Sequence, residues 1–290
     1  MGRTRVASSF DGTELDGRAP VPPGAMSPVV RRDRLVIGAS VVLLAGLAWW
    51  YLIVEARRMN AGGVCECLGM KMGGPEVGAW SAGSLLPLFL MWAVMMVAMM
   101  LPSAAPMILT FGAVARNRRR QQRPYAPVTI FVAGYFVIWI AFSAAAAVGQ
   151  WVLHRAALLS PLMVSSSALL GGVLLLAAGV FQFTPLKQSC LRHCRAPLEF
   201  IMTSWREGRG GAFRMGLEHG AFCTGCCWAL MCLLFVLGVM NILWIAALSL
   251  VVALEKILPR GKLLSTAFGV ALGGWGAWVL VRAVAGWQTL

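Results

Sequence analysis

The residues best suited to chemistry lie in the apolar segment 215–232, where thioether, imidazole and thiol side chains recur at helical spacing. They are Met215, His219, Cys223, Cys226 and Cys227. At about 100° per residue, all of them fall within about 80° of His219 on one face of a helix. Thiolate and imidazole groups are ligands for Cu(I) and Zn(II). The spacing therefore predicts a soft-metal site. The alternative is that cysteines simply pack as small apolar residues, and we apply that interpretation to Cys232, which lies off this face.

A second soft-ligand motif, Cys190-Leu-Arg-His193-Cys194, precedes this segment. On a helical turn its two cysteines and its histidine share a face, because positions i, i+3 and i+4 are neighbours on a helix. Cytosolic thiols stay reduced and are free to act as ligands. We expect Cys190, His193 and Cys194 to hand an ion between the cytosol and the site in segment 215–232. The alternative is an ordinary polar loop.

Methionine is concentrated in one short apolar stretch. Met91, Met95 and Met99 form a ladder at i, i+4 and i+8, with Met96 and Met100 beside it. A thioether is a soft, neutral ligand that suits Cu(I) better than Zn(II) or hard cations. The ladder therefore predicts a row of weak metal sites, of the kind that conduction requires. Flexible core packing, which methionine does well, is the alternative.

A third cysteine motif lies in a glycine-flanked loop, where Cys65, Cys67, Met70 and Met72 fall within eight residues. Such a cluster of soft ligands in a flexible loop could capture a metal ion. Its rival is a disulfide in an oxidising compartment. The sequence leaves the role of this loop open.

Glu255 and Lys256 end an apolar segment near the C-terminus. Charges near the end of a spanning helix commonly reach back to the membrane interface. The functional alternative is that Glu255 accepts a hydrogen bond from a histidine and so supports a metal ligand.

The elements that must position these groups are membrane helices. The chain is 59% apolar and only 12% charged, with a mean hydropathy of +0.75, whereas a soluble domain is about 25% charged. This composition predicts an all-α bundle of about seven transmembrane helices. The uncharged runs are Leu35–Val54, Ser81–Ala115, 127–153, 162–183, two spans within Gly220–Leu254 that turn near Gly238–Asn241, and 263–281. We expect Pro102 and Pro106 to kink or end the second run.

Positive charge is unevenly distributed between the connecting segments. Of the 25 Lys and Arg residues, 20 lie in segments that alternate with the N-terminus and 5 lie in the opposite segments. By the positive-inside rule this predicts an N-terminus inside and a C-terminus outside. A basic patch interleaved with aromatic residues is missing from the sequence, so the lipid bilayer is the expected partner and nucleic acid is not. The predicted units are a disordered tail (1–34), a first span with the cysteine loop (35–84) and a six-span metal-binding domain (85–285).

Two apolar segments carry a family resemblance. Met91–Ser103 (MWAVMMVAMMLPS) and Glu218–Met231 (EHGAFCTGCCWALM) resemble a bacterial family of predicted metal-binding integral membrane proteins, a domain of unknown function. The Cys190–Cys194 motif and Ala253–Pro259 (ALEKILP) are also similar to that family. The resemblance covers roughly residues 85–285. It implies metal binding in a multi-pass protein of the bacterial inner membrane, without naming the metal or the reaction.

The leading hypothesis is a membrane protein that binds a soft metal for transport, delivery or homeostasis. Copper(I) is the preferred ion, with zinc or mercury as alternatives, and a cytosolic metallochaperone or a membrane complex is the candidate partner. A second hypothesis is a thiol–disulfide electron carrier, because Cys223-Thr-Gly-Cys226 is a C-x-x-C motif. A third is a structural subunit or assembly factor of a membrane complex. The sequence contains neither a hydrolase triad pattern nor a phosphate-binding loop, so an enzyme is not expected.

Overall fold

The computed structural model describes residues 28–66, 85–156 and 167–285. Within these ranges the helices are joined by short turns and loops, without a strand. The helices are α1 (Pro28–Glu66), α2 (Leu85–Arg120), α3 (Val128–Arg155), α4 (Ala168–Phe181), α5 (Pro185–Arg195), α6 (Pro197–Ser204), α7 (Gly208–Cys232), α8 (Leu234–Leu237), α9 (Ile242–Ile257) and α10 (Gly261–Val284). The predicted all-α class is therefore confirmed for the described part of the chain. Residues 1–27 of the predicted tail lie outside the described residues.

Five of the described helices are long and apolar enough to cross a membrane, and a sixth span results if α4 and α5, which meet at a 63° bend, count as one. The seven predicted spans exceed this number because two of the predicted runs form short helices. The 16-residue α9 and the 14-residue α4 are about 24 and 21 Å long at about 1.5 Å per residue, less than a bilayer core of about 30 Å. The predicted turn at Gly238–Asn241 is present, with Gly238 at a φ of 96°.

The second helix does not end at its prolines. Pro102 lacks an N–H group, so the carbonyl of Ala98, four residues earlier, loses its helical partner. The indole Nε1 of Trp49 on α1 donates a hydrogen bond of 3.1 Å to that carbonyl. A neighbouring helix thus satisfies the group that proline leaves open, which is how membrane helices tolerate internal proline.

Close helix contacts depend on glycine. A methyl group at Gly216 of α7 would overlap the carbonyl of Phe131 on α3, and one at Gly134 of α3 would overlap the carbonyl of Phe213 on α7. The α4–α10 pair is equally tight at Gly179 and Gly276. Small residues let helix backbones approach closely, and this close packing stabilises helix pairs in lipid, where the hydrophobic effect does not drive helices together. The glycines of α3 and α7 thereby bring the cysteine-bearing face of α7 into the centre of the molecule.

The two short helices that carry candidate site residues begin at well-defined caps. The Thr184 side chain accepts a hydrogen bond from the Lys187 N–H at the start of α5, where Pro185 occupies the first turn. The Asn241 side chain accepts from the N–H groups of Leu243 and Trp244 at the start of α9. These caps use the donors that the first helical turn cannot satisfy within the helix, and so they set where α5 and α9 begin.

We predict that Trp49→Phe destabilises the protein by about 1–3 kcal/mol, because it leaves the Ala98 carbonyl without a partner inside the bundle. Thermal unfolding of the detergent-solubilised protein measures the effect. The matched control is Trp50→Phe, because the adjacent Trp50 side chain is 68% exposed and points away from the bundle. Equal stability of the two variants would contradict the prediction.

Candidate metal centre

The soft-ligand face of α7 points into the protein. All five of its side chains are buried, and the most exposed of them, His219, is only 3% exposed. The five are Met215, His219, Cys223, Cys226 and Cys227. The thiols of Cys226 and Cys227 each donate a hydrogen bond to the Cys223 carbonyl, at 3.1 and 3.0 Å. The helix itself therefore gathers the three sulfurs around one turn. Cys232, on the same helix, is not among the buried side chains of this face.

A fourth thiol comes from α5. The half-buried Cys194 side chain lies near Cys223 and Cys226 and interacts with both, as Cys227 does. We call Cys194, Cys223, Cys226 and Cys227 the thiol cluster. All four are free cysteines. Thus Cys194 is the residue of the Cys190–Cys194 motif that joins the cysteines of α7.

Lysine is the unexpected member of this region. The Lys256 ammonium on α9 donates hydrogen bonds to Cys223 Sγ at 3.0 Å and to Ser103 Oγ on α2 at 3.1 Å. The side chain is buried, so the expectation that it reaches the membrane interface is wrong. An ionisable residue inside an apolar helix is a marker of function that sequence inspection could have used.

Two further side chains complete the surroundings of the cluster. The Tyr135 hydroxyl on α3 lies 3.2 Å from Cys223 Sγ. The Met100 thioether on α2 lies 3.9 Å from Cys227 Sγ. Met100, which lies beside the predicted ladder, is therefore the methionine of this stretch that contacts a thiol of the cluster. Met91, Met95 and Met99 are buried along α2.

His219 lies one turn before the cluster, in an aromatic setting. Its ring lies against Phe131, Tyr135 and Phe200, with centroids 5.6–6.0 Å apart. It interacts electrostatically with Cys223 and Cys226. Its Nδ1 atom is buried without a hydrogen-bond partner. Buried polar atoms normally have a hydrogen-bond partner, so this unpaired nitrogen is available to coordinate a metal ion.

The remaining residues of the α5 motif lie apart from the cluster. The His193 ring is exposed and stacks on Phe222 at 4.1 Å, while its Nδ1 atom lies 2.9 Å from the Ser189 carbonyl. The structure does not bring His193 to the thiols. Cys190 is buried beside α7, where a methyl group at Gly225 would approach its sulfur to 2.8 Å. It is a neighbour of the cluster rather than part of it.

The Glu255 carboxylate has a partner other than the predicted histidine. It accepts hydrogen bonds from Lys187 Nζ on α5 at 3.0 and 2.8 Å, and both side chains are buried. Gln182 also accepts from Lys187, and Ser265 on α10 donates to Gln182. The expectations that Glu255 reaches the interface or supports a histidine are therefore wrong.

A second contact ties the same two helices. The Arg195 guanidinium at the end of α5 donates to the carbonyls of Leu258 and Pro259 just after α9. Together with the Lys187–Glu255 pair, it fixes α5 against α9. Since α5 carries Cys194 and α9 carries Lys256, these two contacts set the relative position of thiol and ammonium.

The donor set fits a soft ion, although the side chains are not in ligand geometry. Within the described ranges, no three His, Cys, Asp or Glu side chains are arranged as they would be around a metal ion. The thiols instead interact with one another and with Lys256. Thiol and thioether sulfurs together with a free imidazole nitrogen are nonetheless donors for Cu(I). The side chains of Cys65, Cys67, Met70 and Met72 lie outside the described residues.

Of three comparisons with known proteins, only the comparison with protein-family models gives a match. A family model described as PpoB2, copper chaperone, matches residues 89–279, more than half of the chain. No curated protein and no solved structure matches the chain. The matched range contains the whole thiol cluster together with Met100, Tyr135 and Lys256, and it agrees with the range over which the sequence motifs resemble a metal-binding family.

We predict that Lys187→Met destabilises the protein by about 3–5 kcal/mol, because it leaves the buried Glu255 carboxylate without its cation. Adding Glu255→Leu should restore most of the loss, since the double variant buries no charge at this position. Unfolding of the solubilised single and double variants provides the measurement. A double variant as unstable as the single one would show that the pair is not the cause.

Proposed function

We propose that this chain, which belongs to the PpoB2 copper chaperone family, is an integral membrane protein that binds Cu(I) at the thiol cluster and passes the ion on. One observation carries the proposal: the three buried thiols of α7 and the half-buried Cys194 thiol of α5 lie together, with the Met100 thioether beside Cys227. Delivery needs an acceptor, for which a cytosolic metallochaperone or a membrane complex is suitable.

The donor chemistry favours Cu(I) over harder ions. Thiolates and thioethers select Cu(I), whereas carboxylates select Mg(II), Ca(II) and Mn(II). Glu255, the carboxylate next to Lys256 in the sequence, is already paired with Lys187. We assign Cys223 and Cys226 as the two thiolate ligands and His219 as the neutral group that completes the coordination, with Cys194 and Cys227 as neutral thiols beside them.

The approach to the cluster uses the rest of α5. His193 is exposed and Cys190 is buried beside α7. In the proposal these two residues take up or release the ion on the cytosolic side, and Cys194 transfers it to Cys223 and Cys226. Met99, Met95 and Met91 extend along α2 from Met100 and provide weak successive sites for an ion that moves farther into the bundle.

The finer membrane topology is also a proposal. Seven spans require α9 and the bent α4–α5 pair to cross together with the five long helices. The 20-to-5 distribution of positive charge supports an N-terminus inside and a C-terminus outside. The outward apolar side chains of α1 and α10, such as Val42 and Val281, need lipid around them. The location proposed is the bacterial inner membrane, with residues 85–285 as the metal-binding unit.

A thiol–disulfide carrier is the weaker alternative. Exchange requires a partner thiolate to reach a sulfur of the disulfide. Cys223 and Cys226 are each 1% exposed, so a thioredoxin-like protein cannot reach their sulfurs in this arrangement. Such a role also gives no use to His219 or to the methionines of α2.

We predict that the purified protein binds about one equivalent of Cu(I) under anaerobic conditions. The double variant Cys223→Ser/Cys226→Ser should lose this binding, because it removes both principal thiolates and hydroxyls are poor ligands for a soft ion. Elemental analysis of the protein after gel filtration measures the ratio of copper to chain.

The matched control for this experiment is Cys232→Ser, which changes a cysteine of the same helix outside the thiol cluster. It should bind copper as the wild type does. Wild-type protein without bound copper, or a double variant that retains it, would contradict the proposed function.

We also predict that the two chain ends lie on opposite sides of the membrane. Seven spans separate the ends, whereas six place them together. Fusion of alkaline phosphatase, which is active only outside the cytoplasm, and of a fluorescent protein that folds only inside provides the measurement. A C-terminal phosphatase fusion should be active and an N-terminal fluorescent fusion bright; both reporters indicating the same side would exclude seven spans.

A further inference from the structure

We infer that Lys256 is a specificity-determining residue, whose fixed positive charge makes the thiol cluster select a monovalent ion over a divalent one. The inference rests on the proposed function and adds the charge class of the ion. It starts from the position of the ammonium, which lies 3.0 Å from the Cys223 sulfur, a proposed ligand atom.

The lysine is held at this place independently of the cysteine. Its ammonium also donates to Ser103 Oγ at 3.1 Å, and the Ser103 hydroxyl in turn donates to the Met100 carbonyl at 2.9 Å. The side chain is buried, so it has no route to solvent in this arrangement. An ion that takes Cys223 as a ligand therefore binds with the ammonium still close by.

The charges around a bound ion then decide which ion fits. Cysteine binds metals as the thiolate, so two cysteine ligands contribute two negative charges. With Cu(I) and the Lys256 ammonium the sum is zero, whereas with Zn(II) it is one positive charge. An unbalanced charge inside an apolar bundle is costly. Carboxylates do not offset it, because the buried Glu255 is already paired with Lys187.

The size of the effect follows from Coulomb's law. An extra unit of ion charge about 5 Å from the ammonium, at an effective dielectric constant of about 20, lowers an association constant by about a hundredfold. Lys256 should therefore raise the preference for Cu(I) over Zn(II) by this factor, beyond the preference that sulfur ligands have by themselves.

The test compares the ratio of Cu(I) to Zn(II) association constants in three proteins: wild type, Lys256→Met and Lys256→Arg. Each constant is measured by competition with a chromophoric chelator in detergent without oxygen. We expect Lys256→Met to lower the ratio by about a hundredfold and Lys256→Arg, which keeps the charge, to leave it within a few-fold. Because it is a ratio, a loss of affinity common to both ions cancels.

The control variant is Lys262→Met, which removes an equal charge from an exposed position at the start of α10. It should leave the ratio unchanged. If wild-type protein binds Cu(I) and Lys256→Met keeps the wild-type ratio, the inference is overturned while the proposed function stands. If wild-type protein does not bind Cu(I), the proposed function fails first.

A folding defect is also informative. Any bound ion stabilises the folded state, so the two ions must be compared. If Lys256→Met folds only with metal and Zn(II) restores folding as well as Cu(I) does, the variant has lost the preference for the monovalent ion, and the inference is supported. If the variant stays unfolded with either ion, or only Cu(I) restores it, the lysine serves the fold rather than ion selection, and the inference is overturned.

Discussion

A buried lysine ammonium beside a cysteine sulfur is the interaction around which the centre of this protein is organised. Lys256 lies in the apolar helix α9, where an ammonium without a partner would be costly. It finds Cys223 on α7 and Ser103 on α2, and Tyr135 on α3 contacts the same sulfur. A single ammonium and a single sulfur thus draw four helices to one point, and the other thiols are grouped around that point.

Two features of the helix packing position Lys256 and Cys223 for their contact. Glycine at Gly134 and Gly216 lets α3 and α7 approach until their backbones touch, which turns the cysteine face of α7 inward. The buried Lys187–Glu255 pair fixes α5 to α9. Buried ion pairs contribute little net stability compared with apolar packing, but their geometry is specific. This pair holds a thiol-bearing helix and an ammonium-bearing helix in register.

The same arrangement would keep the proposed soft-metal site folded in the absence of its ion. Four thiols in an apolar bundle would leave polar hydrogens and lone pairs unsatisfied, which is costly. Here the Cys226 and Cys227 thiols donate to the Cys223 carbonyl, and the Cys223 sulfur accepts from Lys256. In the proposed function, an arriving ion would exchange these weak contacts for coordination bonds. Such an arrangement is compatible with the copper chaperone family to which the chain belongs.

The sequence by itself determined the local features of this protein. Helical periodicity is a local property, so the apolar helices, the soft-ligand face of α7 and the family resemblance could all be recognised from spacing and composition. It also predicted the turn at Gly238–Asn241. The number of spans was harder to predict, because hydropathy does not distinguish a full span from a short helix such as α9 or a bent pair such as α4 and α5.

Only the tertiary structure decided which of the candidate residues meet. Lys256 contacts Cys223 across 33 positions of the chain and Ser103 across 153, and Met100 approaches Cys227 across 127. Helix rotation and crossing set such pairings, and no spacing within one segment encodes them. For the same reason the sequence could not distinguish Cys194, which lies beside the cysteines of α7, from its neighbour His193, whose side chain is exposed.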